Sequence, residues 1–179
     1  MSYCTAVRGG LPPVHQSYHD SEYGFPLKTD AELFGRLLLE INQAGLSWTT
    51  ILNKKDNFER AYAGYDIDRV AKFGDRDRAR LMADAGIIRN RLKIEAAIEN
   101  AKTLRGIRDE HGSFAAWLDH HHPLPKADWV KLFKKTFRFT GGEIVGEFLL
   151  STGYLPGAHD EDCAIFAQIR KLKPAWLRK

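Results

Sequence analysis

Residues 29–48 read TDAELFGRLLLEINQAGLSW and predict the first long helix of the chain. Thr29 and Glu32 have the spacing of a capping box, in which each side chain satisfies a free backbone N–H at a helix start. Gly45 predicts that the helix ends near Ala44, because glycine readily adopts the left-handed conformation that follows a last helical turn.

Glu40 lies on the apolar face of this predicted helix. Leu33, Leu37 and Ile41 recur every four residues, a stripe that must face the core, and Glu40 follows Leu37 by three residues. Taking an ionised carboxylate out of water costs several kcal/mol unless it is paired or protonated. Two interpretations stay open: a carboxylate that reaches solvent or caps nearby backbone, or a carboxylate in a functional site.

The rest of the chain predicts an all-α fold. Strand-like alternation is scarce, connections are short, and no linker or repeat interrupts the sequence, so we expect a single helical domain over residues 1–179. Further helices are predicted over residues 48–54, 57–63, 67–72, 77–85, 89–104, 114–119, 128–137 and 142–151, with a short one possible after Cys163.

Composition limits the cellular compartment in which we expect the protein and the kind of partner that it binds. The N-terminal residues lack the apolar core of a signal peptide, and no apolar run reaches the roughly 18 residues of a membrane span, so we expect a soluble, cytoplasmic protein without a membrane partner. Two cysteines are too few for a disulfide framework. The net charge is only +4, but residues 126–139 hold five basic side chains and one acidic, a patch that fits a polyanion.

Residues 136–142, TFRFTGG, join two predicted helices beside this patch. The candidates for contact with a phosphate backbone are Lys134, Lys135, Arg138, Gly141 and Gly142. Glycines permit close approach, and the N–H groups that open the next helix attract anions. The segment resembles a helix-hairpin-helix, which grips duplex DNA through phosphates. A plain turn with a solvated basic face stays open, and residues 86–93, GIIRNRLK, form a second, similar stretch.

Aromatic residues flank Glu40 in the sequence. Tyr18 and Tyr23 precede its helix and Trp48 follows it. Flat rings beside an acid suit a pocket for a planar, electron-poor base, with stacking for affinity and hydrogen bonds to the base edge. Rings are also ordinary core material, so a purely structural role stays open.

Two cysteines and two histidines suggest a metal site. His159 and Cys163 are four residues apart, and Cys4 and His19 supply a matching pair from the other end of the chain. Thiolate and imidazole are the ligands that zinc prefers, and a closed set of four is structural. A buried free thiol with unrelated histidines is the alternative.

These motifs together resemble the type I 3-methyladenine DNA glycosylases. The similarity runs from Cys4 to Cys163 and is carried by the segments YHDSEYG (18–24), LEINQAGLSW (39–48), DAGIIR (84–89) and FRFTG (137–141). The resemblance implies an all-α helix-hairpin-helix enzyme that flips 3-methyladenine out of alkylated duplex DNA and excises it by hydrolysis.

The resemblance also implies roles for residues. One structural zinc ion would be held by Cys4, His19, His159 and Cys163. Glu40 would bind the flipped base and offset its positive charge, in a pocket with Tyr18, Tyr23 and Trp48. No lysine follows the two hairpin glycines, which favours an enzyme without lyase activity, and a monomer is expected.

Three departures from the family's pattern affect the pocket. The family usually has tryptophan where Tyr23 and Ala6 stand, and the interval from Cys4 to His19 is longer than usual, which predicts a differently shaped loop over residues 5–17. Rival interpretations are a non-catalytic module that binds DNA through the hairpin and a zinc-stabilised structural protein.

Overall fold

The computed structural model describes residues 2–178, which contain α-helices, two 3-10 turns and no β-strand. None of these helices is long and apolar enough to cross a membrane. The helices are α1 (Tyr3–Arg8), α2 (Pro13–Ser21), α3 (Asp30–Gln43), α4 (Trp48–Asn53), α5 (Lys55–Ala61), α6 (Ile67–Val70), α7 (Asp75–Ala83), α8 (Arg91–His111), α9 (Phe114–His121), α10 (Lys126–Thr136), α11 (Gly142–Ser151) and α12 (Ala164–Lys171).

Helix α3 is the central element and begins as its sequence predicts. The Thr29 hydroxyl accepts a hydrogen bond from the Glu32 N–H at 3.2 Å, and the Glu32 carboxylate accepts one from the Thr29 N–H at 3.0 Å. The helix contacts α4, α5, α6, α8, α9 and α11. Most of its side chains, including that of Glu40, are therefore buried.

The prediction of a loop over residues 5–17 is wrong. Helices α1 and α2 occupy most of that stretch. The Ser2 hydroxyl caps α1 by accepting from the Thr5 N–H at 3.1 Å, and Pro13 opens α2, where its missing N–H costs nothing. Helices of six and nine residues carry too few apolar repeats for periodicity to reveal them.

Helix α8 is longer than its sequence suggested. It ends at His111 instead of residue 104, because Gly106 is tolerated inside the helix and Gly112, at a φ of +90°, makes the left-handed turn that ends it. The segment after Cys163 is helical, as expected, and α11 spans the predicted residues.

Aromatic side chains hold α9, α10 and α11 together. Phe114 stacks on Phe148 with ring centroids 5.8 Å apart, and Trp117 meets Phe133 edge-on at 5.7 Å. All four residues are buried and belong to the main core, which also contains the apolar face of α3. This packing sets α11 and the turn before it against the helix that carries Glu40.

Candidate active site

A cavity of about 880 Å³ opens beside the C-terminal end of α3. The structure brings Tyr18, Tyr23, Glu40 and Trp48 together on its walls, although they come from three separate stretches of sequence. Its rim includes the two glycines of the turn between α10 and α11. The complete lining is Tyr3, Leu11, His15, Tyr18, Tyr23, Glu40, Gln43, Ala44, Gly45, Trp48, Gly141, Gly142, Glu143, Ile144 and Glu147.

The carboxylate of Glu40 is buried without a partner. Glu40 is 4% exposed, and no other group in residues 2–178 donates a hydrogen bond to its side chain. Burial raises the pKa of Glu40 to about 8; the nearby Arg36 guanidinium opposes this shift and Glu147 adds to it. The carboxylate therefore neither caps backbone nor lies on the outer surface, and it lines the cavity. The group is suited to a ligand that brings a positive charge or hydrogen-bond donors.

Three aromatic rings line the same cavity as this acid. Tyr18 meets Trp48 edge-on with centroids 5.3 Å apart and lies tilted against Tyr23 at 5.8 Å. The Arg36 guanidinium lies 5.1 Å from the Tyr18 ring centroid, which helps to hold the ring in place. The Tyr18 hydroxyl is buried with no hydrogen-bond partner in the described part of the chain, a cost that a polar ligand could remove.

Glu147 and His15 also line the cavity, and sequence analysis missed both. Tyr23 donates a hydrogen bond from its hydroxyl to Glu147 at 3.3 Å. The ring nitrogens of His15 are hydrogen-bonded to the hydroxyls of Tyr3 at 2.9 Å and Thr49 at 2.8 Å. The spacing of Glu143 and Glu147 places them on one face of α11, a usable signal. That spacing does not reveal that this face meets Glu40.

Cys4, His19, His159 and Cys163 converge on one point. Their ligand atoms all lie within 4.8 Å of one another. The four sulfur-to-nitrogen distances between cysteine and histidine atoms are 3.2, 3.5, 3.7 and 3.9 Å. The cluster joins α1 and α2 to the segment before α12, and it can hold a metal ion.

Contacts around the cluster orient its ligands. His19 Nδ1 is 2.7 Å from the Asp20 carboxylate, and His159 Nε2 is 2.7 Å from the Tyr23 carbonyl oxygen. Because a carbonyl can only accept, His159 donates from Nε2, which leaves its Nδ1 unprotonated towards the cluster. The Asp160 N–H donates to Cys4 Sγ at 3.4 Å. This supporting arrangement is typical of metal sites.

The turn between α10 and α11 presents its cations to solvent. Lys134, Lys135 and Arg138 are exposed. The turn is held from behind by Asn100 of α8, whose side chain accepts from the Arg138 N–H at 2.7 Å and donates to the Arg138 carbonyl at 3.1 Å. A Cβ added at Gly141 or Gly142 would meet nothing within 4 Å, so the rim there is open to another molecule.

Lys93, in the second glycine-and-cation stretch, is not a free surface charge. It is 4% exposed, and its ammonium group donates to the carbonyls of Asn42 at 2.9 Å and Ala44 at 2.7 Å. Those carbonyls end α3 and have no further helical turn to bond with. Lys93 thus supports the helix end next to Glu40.

Replacing Lys93 with methionine is expected to lower the free energy of unfolding by about 2–3 kcal/mol, because two charge-assisted hydrogen bonds are lost and their carbonyls stay buried. Urea unfolding measures this. Lys131→Met, at an exposed lysine of α10, is the matched control and should change stability by less than about 0.5 kcal/mol. Equal stability of the two variants would contradict the role given to Lys93.

Comparisons with known proteins identify the family of this chain. The sequence pattern of the family described as methyladenine glycosylase matches residues 9–131. The chain is 31% identical to DNA-3-methyladenine glycosylase 1 of Escherichia coli K12, covering 86% of this chain and 92% of that protein. It is 30% identical to DNA-3-methyladenine glycosylase of Haemophilus influenzae, covering 86% and 93%.

Solved structures show the same similarity. A tyrosine-to-phenylalanine variant of 3-methyladenine DNA glycosylase I in complex with 3-methyladenine has a TM-score of 0.81 and 32% identity, covering 88% of this chain and 95% of that one. The Staphylococcus aureus 3-methyladenine DNA glycosylase I has a TM-score of 0.80 and 32% identity, covering 88% and 94%.

Proposed function

The chain belongs to the methyladenine glycosylase family, and we propose that its cavity receives a 3-methyladenine base turned out of duplex DNA. The protein is a DNA-3-methyladenine glycosylase, which hydrolyses the bond between the damaged base and deoxyribose in base excision repair. The observation that carries the cavity assignment is a buried, unpartnered carboxylate among aromatic rings.

Glu40 recognises the base through charge. Methylation at N3 makes the purine cationic while it is attached to the sugar. A cation in the cavity stabilises the ionised form of Glu40, which then accepts hydrogen bonds from the base edge and offsets the positive charge. Undamaged adenine is neutral and brings no such compensation, so the buried acid disfavours it. The rings of Tyr18, Tyr23 and Trp48 supply the apolar faces.

Hydrolysis needs little from the protein beyond enclosure and charge. The cationic purine already has a weakened bond to the sugar, so flipping and enclosing it provide much of the rate. Water attacks C1′ as the bonding electrons pass to the base, which leaves as a neutral molecule. With no lysine after Gly141 and Gly142 to form an imine with the sugar, the enzyme is monofunctional.

The basic turn serves as a helix-hairpin-helix. Helices α10 and α11 form its arms, and the N–H groups at the start of α11 bind phosphate of the DNA backbone. The cations that add to this contact are Lys134, Lys135 and Arg138. Residues 1–179 then act as one glycosylase domain, which works as a monomer on alkylated duplex DNA.

Replacing Lys134, Lys135 and Arg138 with glutamine is expected to weaken DNA binding and its dependence on salt. Each lost phosphate contact lowers the slope of log K against log salt by about 0.9. Fluorescence anisotropy with a duplex carrying an abasic-site analogue measures this between about 50 and 200 mM salt. Lys171→Gln, at an exposed cation of α12, is the control. An unchanged slope in the triple variant would argue against the hairpin.

A zinc ion fits the Cys4, His19, His159 and Cys163 cluster. Tetrahedral zinc, with Zn–S of about 2.3 Å and Zn–N of about 2.0–2.1 Å, sets sulfur and nitrogen ligands roughly 3.6 Å apart. The distances of 3.2 to 3.9 Å bracket that value. Four protein ligands would leave no open position, so a bound ion would supply structural stability and no chemistry. The four residues would then hold the N-terminal helices, and with them Tyr18, against the rest of the protein.

Free 3-methyladenine tests the cavity assignment directly. The base is titrated into the protein while tryptophan fluorescence is recorded, and methylated DNA is incubated in parallel so that released base can be measured by chromatography. Binding should quench fluorescence in the wild type and far less in Trp48→Phe, whose remaining tryptophans lie outside the cavity. Base release with equal quenching in both proteins would place the base elsewhere. DNA binding without release would indicate a non-catalytic module.

A further inference from the structure

Proton removal from the attacking water needs a base at the sugar, and the cavity offers few candidates. His15 is unsuitable because both ring nitrogens are engaged by hydroxyls within the protein. The phenols of Tyr3, Tyr18 and Tyr23 stay protonated, because burial raises their pKa values well above the ordinary range. The remaining titratable groups of the lining are carboxylates.

The three carboxylates of the cavity differ in their access to water. Glu40 is 4% exposed, lies in the interior and is taken up by the base itself. Glu143 and Glu147 are both exposed, one turn apart on α11. Only Glu147 is held in place, by the hydrogen bond from the Tyr23 hydroxyl; within residues 2–178, no hydrogen bond or ion pair holds the Glu143 side chain.

The proposed binding mode also places the sugar near Glu147, which lines the cavity from α11. With the base among the rings and the phosphates at Gly141 and Gly142, the sugar lies between the two, along the first turns of α11. Resting on the function proposed above, we propose that Glu147 is a catalytic residue that accepts the proton of the water attacking C1′ of the flipped nucleotide.

The step is balanced without a further reactant. The oxygen of water bonds to C1′, and the C1′–N9 electron pair passes to the cationic purine, which departs as neutral 3-methyladenine. The proton released from water goes to the Glu147 carboxylate and from there to solvent, which reaches this side chain. The product on DNA is an abasic deoxyribose with a hydroxyl at C1′.

Burial and neighbouring groups set the pKa of Glu147. Partial removal from water raises its pKa, which strengthens it as a proton acceptor near neutral pH. The Tyr23 hydroxyl and the Lys126 ammonium act in the opposite direction, while Glu143 raises the pKa further. Glu40 shares the cavity, and its own pKa is raised by Glu147. Burial and three neighbours, Tyr23, Lys126 and Glu143, thus set the pKa above which the proton acceptor is ionised.

The test compares Glu147→Gln with Glu143→Gln in single-turnover excision of 3-methyladenine at saturating enzyme. Glu147→Gln is expected to lose about a hundredfold in rate, with a far smaller change in affinity for free 3-methyladenine. It should also lose the acid limb of the pH profile, which Glu143→Gln keeps but moves to lower pH, because the Glu143 charge raises the pKa of Glu147. Tyr23→Phe removes the hydrogen bond that lowers the pKa of Glu147, so its acid limb should move to higher pH. A merely structural role would not move that limb.

Two outcomes distinguish a failure of the role given to Glu147 from a failure of the proposed function. If the wild type releases no 3-methyladenine, the proposed function itself fails. If the wild type is active while Glu147→Gln keeps its rate and its acid limb, or Glu143→Gln is the variant that loses them, only the role of Glu147 is overturned. If Glu147→Gln folds poorly, the pH profile of Tyr23→Phe tests the role of Glu147 instead. An acid limb at the same pH as in the wild type would then overturn the proposal.

Discussion

Replacing Glu40 with glutamine is expected to stabilise the folded protein above pH 8 while removing most of its excision activity. The pKa of Glu40 in the folded protein is about 8, against an ordinary 4.5, because the side chain is buried. Stability from the protonated form is therefore complete below pH 4.5 and is lost as the pH rises through 8. At about 1.4 kcal/mol per pH unit, the loss is at most on the order of 4–5 kcal/mol.

Glutamine has no proton to lose and escapes this penalty. Urea unfolding should find the two proteins similar at pH 5 and the variant more stable, by several kcal/mol, at pH 9. Glu59→Gln, at an exposed acid of α5 outside the cavity, should shift neither curve. If the wild type and Glu40→Gln differ equally at both pH values, the pKa of Glu40 is not raised and the carboxylate is not buried in solution.

The same substitution should reduce excision by about a hundredfold, because a neutral amide can accept a hydrogen bond from the base but cannot offset its charge. Single-turnover release of 3-methyladenine measures this. Higher stability with lower activity would identify Glu40 as a residue retained for function at the expense of the fold. An unchanged rate would remove Glu40 from the mechanism and leave enclosure by the rings as the source of catalysis.

Replacing Cys163 with serine is expected to release the metal and lower stability by about 5 kcal/mol or more, because a structural zinc site contributes its binding free energy to folding. For a chain of this length, that corresponds to a fall in Tm of roughly 10–20 °C. Calorimetry and metal analysis of the purified protein measure the two effects. One zinc per chain is expected in the wild type.

Base recognition should survive this loss at low temperature, because none of the four ligands lines the cavity. Affinity for free 3-methyladenine is therefore expected to change far less than Tm. Ala164→Ser, next to the ligand, is the control that adds a hydroxyl and keeps all four ligands. A metal-free wild type that melts at the same temperature as the loaded protein would contradict a structural role.

Local signals in the sequence were sufficient to predict several structural elements. The capping box of α3 involves residues three apart, so its hydrogen bonds follow from the sequence alone. The start of α11 is similarly local, since it follows from the two glycines after the basic turn. The four cysteine and histidine residues could be grouped by chemistry, although only the fold brings His19 and Cys163 into contact across 144 positions.

Other features depend on contacts between distant segments. In the sequence, Lys93 resembles any other surface cation. In the structure, α8 packs against α3, and the Lys93 ammonium donates to the free carbonyls at the end of α3. Tyr23 and Glu147 are 124 positions apart, and no spacing predicts their hydrogen bond. Helix α1 is too short for periodicity to reveal it.

Sequence alone determined the helical class, the central helix and the chemical types of the residues at the site. Tertiary structure alone decided that Glu40 is almost fully buried without a partner while Glu147 stays exposed at the same cavity. The physical reason is that the pKa of a carboxylate follows its solvation and its charged neighbours, and both depend on which helix faces meet.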